Sequence, residues 1–565
     1  MTQALPIAAP SRSEQLGSPP RGSPVTAAAW LGTAFCVSLL VTVQSLHHGD
    51  EWWHLALGQL ILNGGIPASE PFSFVATQHP WVDPQWLLEG LLALLVKAGG
   101  DGLASLVLGL AGSLALLLAA LAVPKAARVP PGWRAAAMLL GGVTGGVAMG
   151  VGGQTITALG VAATLLILRR WRDGSRRAVW LLPPLYLLWA NLDPAFVAGL
   201  LILACTLLIH RATGGRRGAP AWSPATSLAV IGVGAAAATV LGSLGLGVAA
   251  LVLLWAAFRP VPVEPGSRRR SLLLASALAA LVTLANPAGP GLYGYVAETL
   301  GNPMLSQLLA GWQSPNFHDM VTRLIEIVAG LLPLCWLLAR RVRVPDALLA
   351  TALFLVTLQA VGAVSLFALA AIPQLAEYGW AAWHQRAPGG LQRRLGVRVA
   401  PPVAVAVAVA LSGVSLAVVV PRTSSAAAVR FESANEPRAA AAYVALHFPG
   451  QRLLSSDSDA SYLAYRFPSQ RVVFVYDEIG IFGTGPLTDY HNLANLSGDW
   501  KGLLVTYHLN HAVLSATSVD AAALLELGWT VDCYDAASDR VVMSAGGGPP
   551  TASPPAPREA ASCSS

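Results

Sequence analysis

Apolar runs of on the order of 20 residues, the length a helix needs to cross the hydrocarbon core of a bilayer, recur from about Val25 to Pro421. Few folds are open to such a chain. In lipid every backbone N–H and C=O must find its partner within the protein, so runs of this kind are read as helices. Hydrophobic residues make up 54% of the 565 and charged residues only 11%, and the mean hydropathy of +0.58 lies far outside soluble globular composition. The expected fold class is an α-helical polytopic membrane protein with roughly 13 spans, followed by an α/β domain.

The net charge of +6 does not point to nucleic acid, because the cations are spread over the connections between runs. Basic clusters fall at Arg12 and Arg21, Lys125 to Arg134, Arg169 to Arg177, Arg211 to Arg217, Arg259 to Arg270, Arg340 to Arg343 and Arg386 to Arg398. The alternate connections, at Gly152 to Gln154, Asn191 to Pro194, near Leu241, and Asn286 to Met320, hold no Lys or Arg. By the positive-inside rule this places the N-terminus in the cytoplasm and the C-terminal domain outside. The first two dozen residues are Pro/Ser/Ala-rich and lack the short apolar core of a cleaved signal. Arginine far outnumbers lysine, a bias that suits a high-GC bacterial genome, so the expected location is a bacterial inner membrane.

The division expected is a disordered cytoplasmic segment 1–24, a membrane domain 25–420 containing a first outer loop 47–101, an outer α/β domain 421–545, and a disordered tail 546–565. Within the loop, Pro84 to Lys97 reads as a helix lying at the membrane surface. Counting it as a span would put Lys125 and Arg128 outside. In the α/β domain, "RLLSS", "VVFVY", "HAVLS", "TVDCYD" and "RVVMS" read as strands between helical patterns at 436–447, 460–466, 499–507 and 519–527. Cys36, Cys205 and Cys335 lie within spans as apolar packing. Cys533 and Cys563 would share an oxidising compartment, but their placement on a strand and in a tail does not itself indicate a disulfide.

The first loop carries the chemistry-bearing residues. Asp50 precedes a helical run that ends at "NGG", which makes it an N-cap or a functional acid, with Glu51 in the first turn. His54 falls four residues after Asp50 on the same helix face and could pair with it. Asp50 and His54, with His47 and His48 nearby, are also candidate ligands for a divalent metal. Trp52 and Trp53 fit an interfacial aromatic belt. Asp193 is an Asx-turn residue or a ligand, Asn191, Asn286 and Gln154 are helix caps or sugar contacts, and Arg323 caps its span or serves as a cation. Asp477, Glu478 and Asp489 follow a strand end and suit structural or carbohydrate-contact roles.

"GDEWWHLALGQLILNGGIPASEPFSF" followed by "WVDPQWLLEGLLALL" resembles the first outer loop of GT-C fold membrane glycosyltransferases, especially a bacterial branch with a D-x-WWHL-x-x-G-x-x-I-x-x-x-G-x-P pattern. The similarity continues through "LLWANLDPAFVAGL", "LANPAGPGLYGYVAETL", "GWQSPNF" and "VVFVYDEIGIFGTGPLTDY", covering about residues 25 to 545. The resemblance implies transfer of a sugar from a polyprenyl-phosphate-linked donor to an outer-face acceptor (lipid, glycan or protein). Carried over residue by residue, Asp50 is the acid acting on the acceptor, Glu51 is its neighbour, and Trp52, Trp53 and His54 line the lipid-linked substrate. Three positions depart from the pattern. Gly152-Gly153-Gln154 stands where an Arg-Pro-Gln is usual, Asp193 replaces a histidine, and "AVGAVSLFALAAIP" lacks an arginine. A phosphate leaving group wants a fixed cation or a metal, so a catalytically inactive GT-C-like scaffold, binding lipid or a partner in envelope glycan assembly, is the alternative expectation. Paired inverted repeats, the mark of many transporters, are not evident.

Overall fold

The computed structural model describes residues 24–46, 51–76, 81–150, 152–212, 268–302, 310–340, 342–386, 401–468, 470–546, 558 and 560–563. The expectations for His47, His48, Asp50 and the connection near Leu241 lie outside these residues, as do those for residues 1–23.

In chain order the membrane part runs α1 (Pro24–Thr42), α2 (Glu51–Gly64), α3 (Trp86–Leu121), α4 (Pro131–Gly145), α5 (Gly152–Arg172), α6 (Leu182–Leu192), α7 (Phe196–Ala212), α8 (Arg268–Val282), α9 (Gly291–Gly301), α10 (Met320–Ala339), α11 (Val344–Gln359), α12 (Val364–Arg386) and α13 (Pro401–Arg422). Among the described residues six helices are long and apolar enough to span a membrane: those built on α1, α3, α5, α10, α12 and α13, with three shorter apolar helices beside them. Their lipid-side faces carry exposed Leu and Val, as on α13, where Val409, Val414 and Val420 are exposed. Inside, Ala and Gly let helices close up. α12 packs between α4 and α10, and α3 lies along α5.

α3 is longer than one span and is broken at Gly99 and Gly100, where Gly100 takes φ 70°, a left-handed value that favours glycine. The break separates a short first segment, from Trp86, from the span that follows. α5 crosses the layer in 21 residues, about 30 Å at 1.5 Å per residue. Its two ends differ in chemistry. At the Arg172 end an ionic network ties three helices: Arg343 Nε reaches Asp346 at 2.9 Å and its guanidinium also contacts Glu377, Arg172 lies 3.6 Å from Asp346, and the Tyr378 hydroxyl donates to Asp346 at 2.9 Å. At the Gly152 end stand the acids described below.

The C-terminal domain follows as α14 (Ser425–Asn435), α15 (Arg438–His447), β1 (Leu453–Ser455), α16 (Asp457–Arg466), α17 (Thr484–Ala494), α18 (Trp500–Thr506), β2 (His511–Ser515), α19 (Val519–Glu526), β3 (Thr530–Asp535) and β4 (Arg540–Ser544). Serine caps start three of its helices: Ser424, Ser456 and Ser518 accept from the backbone N–H three residues on. The sheet order is β1-β2-β4-β3, parallel between β1 and β2 and antiparallel elsewhere. The run at Val472 makes isolated bridges rather than a regular strand, because it is a connector. Val473 pairs in parallel with Leu453 on one side and with Ser73 of the first loop on the other. Thus the loop supplies one edge of the domain's sheet.

The opposite edge is also covered. Tyr534 N–H donates to Ala561 O at 2.8 Å and Cys563 N–H to Tyr534 O at 3.2 Å, and Cys533 and Cys563 form a disulfide. The sequence leaves that bond possible but unsupported, because Cys533 lies on a strand and Cys563 in the tail. Arg558 holds Asp539 through two hydrogen bonds of 3.0 Å. Two potential pairing edges are thereby blunted.

Candidate active site

The first loop and the C-terminal domain share one apolar core. Trp52 and Trp53, expected to face lipid-linked substrate, are 2% and 3% exposed. Trp52 meets the ring of Tyr462 edge-on at 4.9 Å, and Trp53 lies 5.5 Å from Tyr476. The aromatic pair therefore docks one domain on the other, since burying such rings against tyrosines outweighs leaving them at a membrane surface. The loop's return stretch is fixed by Glu70, whose two carboxyl oxygens accept from Phe72 N–H and Ser73 N–H, each at 2.7 Å, and from the Tyr476 hydroxyl at 3.0 Å. Ser73 Oγ in turn donates to Phe474 O at 2.6 Å.

Beneath this joint, carboxyls from four separate segments gather around His54. His54 Nδ1 lies 2.7 Å from Glu89 Oε1, so its partner is an acid on the first segment of α3. Glu89 is 1% exposed and Asp83, whose Oδ1 accepts from Gln85 N–H at 2.9 Å, is 5% exposed, so two acids of the same stretch are buried together. Asp193, in the turn between α6 and α7, accepts at Oδ1 from Thr157 Oγ1 at 2.5 Å and from Ala195 N–H at 2.8 Å. Glu478, from the C-terminal domain, accepts from the Tyr295 hydroxyl of α9 at 2.9 Å. The charge of His54 is felt by Asp83, Asp193 and Glu478 alike.

The double glycine at the start of α5 makes this approach feasible. A Cβ on Gly153 would stand 2.3 Å from Asp193 Oδ2 and 2.7 Å from Gln85 Oε1, and one on Gly152 would stand 2.9 Å from Glu51 Oε1. Any larger residue would displace those oxygens. Glu51 is itself 3% exposed, and the positive end of the α5 dipole favours carboxylates there.

The other expected site residues are placed differently. Asn191 has its side chain engaged, accepting from Trp86 Nε1 at 3.0 Å and donating to Leu187 O and Ala285 O at 2.8 and 3.0 Å. It joins three segments structurally. Asn286 caps its own turn, donating to Thr283 O and accepting from Ala288 N–H. Arg323 sits exposed on the first turn of α10 and donates to Phe317 O at 3.3 Å. Gln154, on the first turn of α5, has its amide nitrogen 3.7 Å from the Cβ position of Gly362. As to a metal, His54 spends Nδ1 on Glu89, and no group of three metal-ligating side chains converges among the described residues. The ligand pair expected from Asp50 and His54 lies partly outside the described residues, because Asp50 is not among them.

Burial is the largest influence on these acids. It pushes Glu478 up to about 7, against the Tyr295 hydrogen bond and the His54 charge. It pushes Asp193 up to about 6 and holds Asp83 well above the ordinary carboxylate range. Acids with raised folded values stabilise the fold fully below their ordinary values of 3.8 for Asp193 and 4.5 for Glu478, and that contribution is lost as pH climbs through the folded values of about 6 and about 7. The thermal midpoint of the detergent-purified protein is accordingly expected to be highest near pH 5 and to fall as pH rises to about 8. A midpoint that is flat or rises over that interval would contradict the burial of these acids in the folded state.

No protein-family model matches the chain, and no curated protein matches it. Among solved structures it aligns with the archaeal oligosaccharyltransferase AglB from Archaeoglobus fulgidus, in complex with an inhibitory peptide and a dolichol-phosphate, at 13% identity over 89% of this chain and 72% of that one, with a TM-score of 0.47. It also aligns with ArnT from Cupriavidus metallidurans bound to undecaprenyl phosphate, at 15% identity over 94% of this chain and 100% of that one, with a TM-score of 0.48.

Proposed function

We propose that the protein is a membrane glycosyltransferase that moves a sugar from a polyprenyl-phosphate-linked donor to an acceptor hydroxyl or amide at the outer membrane face. The observation that carries this reading is the convergence of Glu51, Asp83, Glu89, Asp193 and Glu478 on His54 and the α5 start, at one end of the spans and under the C-terminal domain. Buried ionisable groups at the edge of a membrane domain mark function more often than packing. The first-loop pattern that ends in this cluster is the one that resembles GT-C enzymes. Basic residues crowd the opposite end of α5, and the positive-inside rule then turns the cluster outward.

In the reaction, the acceptor oxygen or nitrogen attacks the anomeric carbon as the bond from that carbon to the phosphate oxygen breaks. The polyprenyl phosphate leaves with the bonding electrons, and a carboxylate takes the acceptor's proton. Asp50 is the candidate for that base. Glu51 and Asp193, held at the α5 start, would orient the acceptor, and the dry joint under Trp53 and Glu478 would keep water from competing.

A second reading, a lipid-binding scaffold without turnover, is favoured by one observation. Gly152-Gly153-Gln154 and "AVGAVSLFALAAIP" stand where the resembled enzymes carry arginine, the usual fixed cation for a phosphate leaving group. Native mass spectrometry of the purified protein, paired with a transfer assay on synthetic polyprenyl-phosphate sugars, separates the readings. A bound carrier with turnover supports the enzyme, whereas a bound carrier without turnover under any donor supports the scaffold. Absence of any bound carrier or transfer removes the donor assignment from both.

A further inference from the structure

At the basic end of α5, opposite the acids, a cavity of about 530 Å³ opens between three elements. Lys125 comes from the 3-10 turn Lys125–Ala127, Arg170 from the last turn of α5, and Ser175, Arg177 and Leu181 from the connection that leads through the 3-10 helix Ala178–Leu181. Asp173 is the acid in the lining, and it is committed to Arg169 at 2.9 Å. From its α4 position Arg134 adds a further like charge against Arg170. Three exposed cations thus face one space with their own acid spent.

A bland account covers part of this. Cations at a helix C-terminus complement its dipole, which would explain Arg169, Arg170 and Arg172. It does not explain Lys125 or Arg177, which arrive from other elements and cost like-charge repulsion by converging. A bound anion would offset that repulsion. The lip of the cavity is apolar: Trp180 and Leu181 are 47% and 59% exposed, placed where a span ends and where aromatic side chains sit at headgroup level. Cations above and hydrocarbon beside them match an amphiphile better than a soluble phosphate compound.

We infer that Lys125, Arg170 and Arg177 form a binding site for the phosphate headgroup of an anionic phospholipid, with its acyl chains lying along Trp180 and Leu181. Ser175 is placed to donate to the same phosphate. The inference rests on the chain's being a membrane protein and not on glycosyl transfer, so the two fail separately.

The test uses the full chain in nanodiscs made from equal amounts of phosphatidylcholine and phosphatidylglycerol, released into detergent for native mass spectrometry of retained lipid. Wild type is expected to retain phosphatidylglycerol over phosphatidylcholine by about 10²-fold, roughly five-fold for each of the three cations near a membrane surface. The K125A/R170A/R177A variant is expected to retain the two lipids nearly equally, while Arg340→Ala, which removes an exposed cation elsewhere, keeps the wild-type ratio. If the triple variant does not fold, K125E/R177E, altering only exposed turn residues, gives the same reading. No preference in wild type, or an unchanged preference in the variants, overturns the site. Displacement of the lipid by millimolar inorganic phosphate overturns the lipid assignment in favour of a soluble anion.

Discussion

Asp50→Asn is expected to lower sugar transfer by about 10²- to 10⁴-fold, the usual contribution of a positioned general base, with insertion and folding intact. The substitution keeps the shape and removes the proton acceptor. Asparagine is as good an N-cap as aspartate, so a structural cap role predicts almost no loss of activity or stability. The measurement is transfer from a polyprenyl-phosphate sugar by matched amounts of the two proteins, alongside their thermal midpoints. Full activity in the variant sinks the assignment of Asp50. Equal loss of activity and midpoint would instead locate its role in the loop's structure.

Glu70→Ala is the substitution expected to cost most in stability, about 3 kcal/mol or more, because it strands two buried N–H groups and a buried phenol at roughly 1–3 kcal/mol each. Glu70 is 0% exposed, and burial pushes it up to about 7 against three donated hydrogen bonds that favour its charged form. Its loss would free the stretch Phe72 to Phe74 from Val473 and Phe474, opening the joint above the acid cluster. Limited proteolysis should then cut in the first loop of the variant while wild type resists. A variant with an unshifted midpoint and the wild-type cleavage pattern would show that the aromatic pairs alone hold the joint.

Much of the architecture was legible in sequence, and the reasons for the rest are physical. Helix periodicity and apolar length reveal spans, and the positions of α15, α16, α18 and α19 agree with the helical patterns read at 436–447, 460–466, 499–507 and 519–527 to within a few residues. Partners distant in sequence were not legible. Trp52 and Trp53 look interfacial beside a span, and nothing local announces that Tyr462 and Tyr476 cover them. Asp83 and Glu89 went unremarked, although an acid inside the apolar run "WLLEGLLALLV" is itself a signal, since a charge in such a stretch needs a reason. Asp193 reads as an Asx-turn residue or a ligand and Asn191 as a cap or a sugar contact, yet one brings an oxygen to Gly153 while the other has its side chain spent on Trp86 and two carbonyls. Only packing distinguishes them.

The sheet's two borders set a timetable for assembly. One border is a loop made early in synthesis, whose Ser73 bonds a residue 401 positions later, and the other is sealed by the Cys533–Cys563 disulfide. The first loop must therefore wait, with Trp52 and Trp53 uncovered, until Tyr462 and Tyr476 have been made. Contacts of such long range close slowly, and exposed apolar surface invites misassembly in the interval. For this chain the vulnerable moment is late: truncation within the final strands would leave the earliest-made part of the site without its cover.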